Sequence, residues 1–470
     1  IDKPASRAKC WISVAVKELF TWNLFVYGTE ESPYPLTPDQ HNPVTKDYVY
    51  HAVRAMLETY PLLAGIGVTA GEYMAGDGTD IAFIRETYGR AVEDCLKCHP
   101  GRKLRFIHRM QYAAFHEIEE KFRDFPGTFE ISFKYSQAHM HSSVKPHFFS
   151  DFIKEHDTQT GFWFTLRDDD YYMFRWGDSD FARDYLRNMP VSRMTGFYLG
   201  ADGFTWGRDY MDRLDQTHPL YIRKMWYKMW LWGQLSYDIS REEEFFTGEL
   251  ECMYGMDGKR LSNVWKKASR IISTFQLVHW HDYDFQWYPE MCCSLEHPPV
   301  RKLEFADINE FMACDSMPEG GCISVKEFAK CQVEGRAVNA VTPLQIAQII
   351  KQYSDFVLKE VALLEKGCKM GCGLHRLLMD MRALAYVGTY YPDKLMAAVH
   401  LCIWRINPER YQDKTKAVAL LRDCAGHWKK YSSFVKQYYR PQRFTRLCSY
   451  VDPEYFDRWA ELDIQLAENQ

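Results

Sequence analysis

GIGVTAGEYM, residues 65–74, is an apolar run that stops at a glycine and then presents one carboxylate, Glu72. The run that contains its start, LAGIGVTAG (63–71), reads as a strand covered on both faces, the pattern of a parallel sheet. Five similar runs accompany it: LFTWNLFVYG (19–28), LRFIHRM (104–110), FEISFKY (129–135), GFWFTLR (161–167) and MTGFYLG (194–200). Helical patterns such as KDYVYHAVRAMLETY and DFARDYLRNM separate them, and this βαβα order argues for an α/β fold with a parallel sheet. Polar residues gather at the C-terminal ends of the runs: Glu30, Glu72, His108 with Arg109, Lys134, Arg167 with Asp168, and Asp202. That is where a (β/α)8 barrel carries its chemistry. The runs are therefore read as strands three to eight of a TIM-type barrel. Strands one and two are then missing upstream, or replaced by something the first eighteen residues do not reveal. A doubly wound open sheet is the competing arrangement, but no G-x-G-x-x-G follows any run.

A chain of 470 residues with 46% apolar composition can fill two cores. The period changes after residue 208. TPLQIAQIIKQYSDFVLKEVALLEKG has Thr342 placed as an N-cap and Pro343 at N1, keeps Ile346, Ile349, Ile350, Tyr353 and Val357 on one face, and ends at Gly367. We expect a barrel catalytic domain over 1–208 and an α-helical C-terminal domain over 209–470. The formal net charge of −5 supplies no phosphate-tracking surface, so no nucleic-acid partner is expected. No stretch approaches the roughly 18 apolar residues of a membrane span. The chain opens at Ile1 without a basic start and apolar run, so any signal peptide is expected to be absent from it.

Fourteen cysteines, most of them single in apolar settings such as those of Cys402 and Cys424, read as buried thiols rather than a disulfide framework. CLKCH, Cys95 to His99, has the form of a c-type haem attachment site, yet it falls between a helical pattern and a strand and is read as chance. No cofactor is expected. The run Asp168, Asp169, Asp170 lacks the spacing of a calcium site, and His108, His139 and His141 are read as substrate-facing rather than metal-binding.

LFTWNLFVYGTE, GIGVTAGEYM, RFIHRMQ, FKYSQAHMHSS, TLRDDDYYMFRWGD, GFYLGADGFTWGRDY, MWLWGQLSYD and HWHDYDFQWYPE occur in an order that resembles bacterial glycoside hydrolases related to the α-glucuronidases. The resemblance implies a (β/α)8 barrel with a helical C-terminal domain, breakdown of polysaccharide in the periplasm or outside the cell, and inversion at the anomeric carbon. The residues support that chemistry on their own terms, because glycosidic hydrolysis needs a protonated carboxyl and a second carboxylate. Glu72 is the candidate acid. Asp202, beside glycines and Trp206, is favoured slightly over Asp168 as its partner.

Cations at strand ends in an acidic protein suit an anionic, uronic or sulfated sugar. The candidate substrate-binding residues are Trp22, Asn23, His108, Arg109, Lys134, His139, Arg167, Arg175, Trp206, Trp280 and Asp282. Fourteen Trp, thirty Tyr and twenty-nine Phe supply apolar faces on which sugar rings pack. The segment 279–290 is either a loop folded over the barrel mouth or a buried seam between domains. The expected partner is a carbohydrate substrate of an exo-acting hydrolase, with any homo-oligomer forming through the helical domain. The alternatives are a non-catalytic carbohydrate-binding protein on the same scaffold and, from Cys95, Cys98 and His99 alone, a haem electron carrier.

Overall fold

A computed structural model describes residues 17–24, 26, 29, 32–72, 74–111, 113–135, 140–145, 160–167, 174–200, 213, 221–280, 287–295, 303–440, 442–443 and 450–469. The chain divides into two compact units, one of Ile1–Tyr135, Ile153–Thr165 and Pro190–Tyr198, the other of Ser136–Phe152, Leu166–Met189 and Leu199–Gln470.

The first unit is built on a parallel sheet whose strands follow one another in chain order: β1 (Lys17–Trp22), β2 (Leu63–Thr69), β3 (Arg105–Arg109), β4 (Thr128–Lys134), β5 (Gly161–Arg167) and β6 (Met194–Gly200). They fall on the six runs read from the sequence. Among the described residues the sheet has six strands, so a complete eight-stranded barrel is not shown. The sheet is nevertheless strongly curled. Phe20 on β1 packs against Trp163 on β5 at 5.8 Å and Tyr198 on β6 at 4.3 Å between ring centroids. In a flat sheet, strands one and six would stand about 24 Å apart at the usual spacing. The concave face is therefore curled like part of a barrel interior.

That interior is layered. At its N-terminal end Arg105 is ion-paired to both Glu18 and Glu130, and Trp163 Nε1 donates to Glu130. Above this plug lie the Phe20, Trp163 and Tyr198 rings, and Gly67 makes room for them: a Cβ there would sit 2.3 Å from two Phe20 ring atoms. The opposite face of the sheet is apolar. Ile66, Val68, Phe106, Ile131, Phe162 and Phe164 are each no more than 1% exposed. Helices cover that face, as in Phe122, which follows α4 (Phe115–Lys121), stacking on Phe129 at 4.4 Å. Before α4 come α1 (Pro43–Thr59), α2 (Thr79–Ile84) and α3 (Arg90–Cys98), the last two joined by a π-turn at Arg85–Gly89. Asn42 caps α1 by accepting from Val44 N and Thr45 N, with Pro43 at N1.

The second unit is mainly helical. Its longer helices are α5 (Ser179–Asn188), α6 (Trp226–Tyr237), α7 (Glu243–Tyr254), α8 (Gly258–Gln276), α9 (Val325–Glu334), α10 (Pro343–Leu364), α11 (Gly373–Ile406), α12 (Tyr411–Tyr438) and α13 (Asp457–Glu468), with short ones at Tyr221–Lys224 and Ile308–Ala313. The start of α10 is as expected: Thr342 accepts from Gln345 N and Gln345 reaches back to Thr342 N, a capping box that satisfies two end donors. Ile346, Ile350 and Val357 are its buried face. Ion pairs tie the helices: a buried one from Lys394 on α11 to Asp463 on α13 at 2.7 Å, and a half-buried one from Arg270 on α8 to Asp178 at 2.6 Å. Among the described residues no helix is long and apolar enough to cross a membrane.

Candidate active site at the strand ends

β2 stops because Gly71 adopts a left-handed conformation, φ +87°, which costs a glycine little and other residues about 1 kcal/mol or more. Met74 N then donates to Gly71 O at 2.9 Å, closing a turn that carries Glu72 directly past the strand. The turn is tied to the neighbouring strand end, where Asn23 Nδ2 donates to Glu72 O at 2.8 Å. Asn23 is itself fixed, since its backbone oxygen accepts from Tyr88 Oη at 2.6 Å. On the other side, Arg109 Nη1 lies 4.0 Å from Glu72 Oε2. Both side chains are largely buried, 8% and 19% exposed, so water screens the pair only partly.

The strand register places further residues beside these. Trp22, Thr69, Arg109 and Ser132 are successive partners across β1 to β4 and form one row on the concave face at its C-terminal end. Behind that row Thr165 Oγ1 and Tyr198 Oη are 2.5 Å apart, and each is within 3.3 Å of Ser132 Oγ. Lys134 follows Ser132 at the next concave position and is half-buried.

Trp22, Asn23, Glu72, Arg109 and Lys134 are thus brought to the same end of the sheet. Two other residues are not where they were expected. His108 alternates with Arg109 and so faces the helices, 1% exposed, edge-on to Phe122 at 5.8 Å and with neither ring nitrogen hydrogen-bonded. Burial drives its pKa down to about 3, so it is a neutral core residue and not a ligand for an anion. Arg175 belongs to the helical unit, where its Nη1 pairs with Asp380 Oδ2 on α11 at 2.6 Å. Its charge is already matched.

Trp280 also belongs to that unit: its N donates to Asp315 O at 2.9 Å, and Cys314 Sγ to its carbonyl at 3.1 Å. Asp168, Asp202, His139, Trp206 and Asp282 lie outside the described residues, as does the side chain of Arg167. Cys95 is buried and Cys98 exposed, at the end of an ordinary helix. Among the described residues no group of His, Cys, Asp or Glu could hold a metal ion.

Asp80 was not anticipated. It is 2% exposed in the first turn of α2, with Oδ1 lacking a hydrogen-bond partner. Its Oδ2 is 3.5 Å from where a Cβ on Gly71 would be, directly behind the Glu72 turn. Burial raises its pKa, with Asp77 and Glu117 adding to the effect. The Ser132, Thr165 and Tyr198 hydroxyls were also missed, although alternation along FEISFKY and GFWFTLR puts them on the concave face.

Two predictions follow from this geometry. Gly71→Ala would bring the new Cβ to 3.0 Å from Gln111 Cβ at positive φ. We expect a stability loss of about 1–2 kcal/mol, the cost of a left-handed non-glycine residue, and a larger fractional fall in activity as Glu72 shifts. Urea unfolding and turnover check the two parts, and unchanged activity would show that any catalysis here does not depend on how the turn positions Glu72.

For His108, the folded pKa near 3 lies below the ordinary value of 6.5. The unfolded chain therefore binds the extra proton between those values, so this residue's stabilising effect is full above pH 6.5 and is lost as pH falls toward 3. His108→Leu should flatten that part of the stability-pH curve; a slope equal to wild type between pH 6.5 and 4 contradicts it.

No family model and no curated protein matches this chain. Among solved structures, the chain is similar to a GH138 enzyme targeting pectin rhamnogalacturonan II, with a TM-score of 0.74 and 15% sequence identity over 90% of this chain and 51% of that one. It therefore spans about half the length of that enzyme. The solved structure of CpGH84D overlaps 95% of this chain and 63% of its own, at 12% identity and a TM-score of only 0.32. At such identities the likeness to the GH138 enzyme is one of fold alone.

Proposed function

We propose that the protein is an exo-acting glycoside hydrolase that removes an anionic sugar, uronic or sulfated, from an oligosaccharide or polysaccharide. The observation that carries this reading is the acid turn: Glu72 held past the end of β2 by Gly71 and Asn23, 4.0 Å from Arg109. In the reaction, Glu72 donates its proton to the glycosidic oxygen as the bond to the sugar breaks. The carboxylate left behind is stabilised by the Arg109 guanidinium, an interaction that strengthens as charge develops and so lowers the barrier. Asp202, or else Asp168, serves as the second carboxylate and activates water for inversion. Trp22 offers a ring face to the sugar, while Lys134 and Arg109 supply positive charge to its anionic group.

The α-glucuronidase-like specificity read from the sequence and the rhamnogalacturonan target of the GH138 enzyme both supply acidic sugars. Residues 1–208 form the catalytic part in this reading, and the site of action is the periplasm or the cell exterior. Paired substrates that differ only in the sugar carboxylate test it. Reducing that group to an alcohol should lower kcat/KM by about 1.5–3 kcal/mol, the value of a hydrogen bond to a charged group. Equal rates on both would remove the anionic specificity, and no release from either would favour a non-catalytic binding protein.

A further inference from the structure

The loop between α10 and α11 brings two thiols into contact. Cys368 Sγ and Cys372 Sγ are 3.4 Å apart. The backbone folds tightly to do this, with Gly367 at φ +81° and Gly371 at φ +78°, Cys368 N donating to Glu365 O at 2.9 Å and Cys372 N to Lys369 O at 3.1 Å. Both cysteines are partly exposed, whereas Cys292, Cys293, Cys331, Cys402 and Cys424 in the same unit are buried. A disulfide bond is 2.03–2.05 Å long, so the two sulfurs need to close by about 1.4 Å, within reach of side-chain rotation.

We propose that Cys368 and Cys372 form a reversible intrachain disulfide by exchange with an external disulfide. The Cys372 thiolate attacks one sulfur of that disulfide, its S–S bond breaks, and the first external thiolate leaves and takes up a proton. Cys368 gives its proton to water and attacks Cys372 Sγ, releasing the second external thiolate. Two protein thiols are oxidised and one external disulfide is reduced to two thiols.

The order of attack follows from position. Cys372 caps α11, a 34-residue helix, and its Sγ accepts from His375 N at 3.4 Å, where the helix end favours negative charge on an attacking sulfur. Cys368 is pushed up to about 11 by burial and then by the neighbouring sulfur, which suits it to the second step. Cys372 also lines a cavity of about 330 Å³ together with Arg175, Arg223, Trp226, Tyr254 and Arg376. The bond would therefore fix one wall of that cavity as well as the corner between the two helices.

The test is to incubate the whole chain with oxidised glutathione, block remaining thiols with iodoacetamide, and analyse the digest by mass spectrometry. We expect the peptide holding both cysteines to lose two hydrogen atoms and escape alkylation, and dithiothreitol to restore two alkylation sites. In Cys368→Ser, Cys372 should accumulate as the glutathione mixed disulfide, because the resolving thiol is gone. Circular dichroism melts of the reduced wild type and the variant should coincide, which separates lost chemistry from lost folding. Alkylation of both cysteines after oxidation, or a glutathione on each of them in the wild type, would overturn the proposal.

Discussion

Glu72→Gln is predicted to lower kcat on an anionic glycoside by about 10²–10⁴-fold, the usual contribution of a positioned general acid. The change is nearly isosteric. The backbone oxygen of residue 72 still accepts from Asn23, and the turn set by Gly71 is untouched, so the thermal midpoint and substrate binding should stay close to those of wild type. The loss should be smaller on substrates whose leaving group is already a good one, because those need little proton donation. A kcat within twofold of wild type on the natural linkage would take the acid role away from Glu72.

The second large effect concerns the helical unit. Asp380 is fully buried and accepts from Arg175 N at 2.8 Å, from Arg175 Nη1 at 2.6 Å and from Tyr439 Oη. Asp380→Ala is predicted to cost about 3–5 kcal/mol, because it breaks a buried ion pair by removing the carboxylate bonded to the Arg175 guanidinium, only 9% exposed. Removing both partners, as in Asp380→Leu with Arg175→Met, should cost less than Asp380→Ala alone, since neither charge of the pair is then left inside. Urea unfolding of the single and double variants measures both. A loss below about 1 kcal/mol for Asp380→Ala, the level of an exposed pair, would show that the pair does not hold Arg175 in place.

The central strands β2 to β5 were legible because they are largely buried: an apolar run ended by glycine or a charge leaves little choice of reading, and their ends came out within two residues of where the sequence put them, whereas β1, with Leu19 41% exposed, ends at Trp22 and not at residue 28. The helix starting at Pro343 was legible from its cap. What misled was reading strand ends as clusters rather than as alternating faces. His108 and Arg109 are adjacent, so only one of them can face the concave side, and period two applied to RFIHR would have assigned Arg109 to the site and His108 to the core. The same alternation would have found Ser132, Thr165 and Tyr198.

Arg175 was misjudged for a different reason. Its partner, Asp380, lies 205 residues further along the chain, and no local pattern announces a pair that only tertiary folding creates. Asp80 was hidden by its setting, since GDGTD reads as a turn and a helix start. Its place behind the Glu72 turn, where Gly71 and Gln111 also meet, is a tertiary feature that the local pattern does not announce.

The most direct test of the account is to follow, by proton NMR, the first sugar released from uronic-acid-bearing oligosaccharides, pectic ones included. The account predicts that wild type releases a free uronic acid whose anomeric configuration is opposite to that of the bond cleaved, and that Glu72→Gln releases almost none. Inversion follows if Glu72 and the second carboxylate stand roughly 6.5–9.5 Å apart with a water between them, whereas a spacing near 5 Å gives retention through a covalent intermediate. Initial product of retained configuration, or no sugar released by wild type, would contradict it.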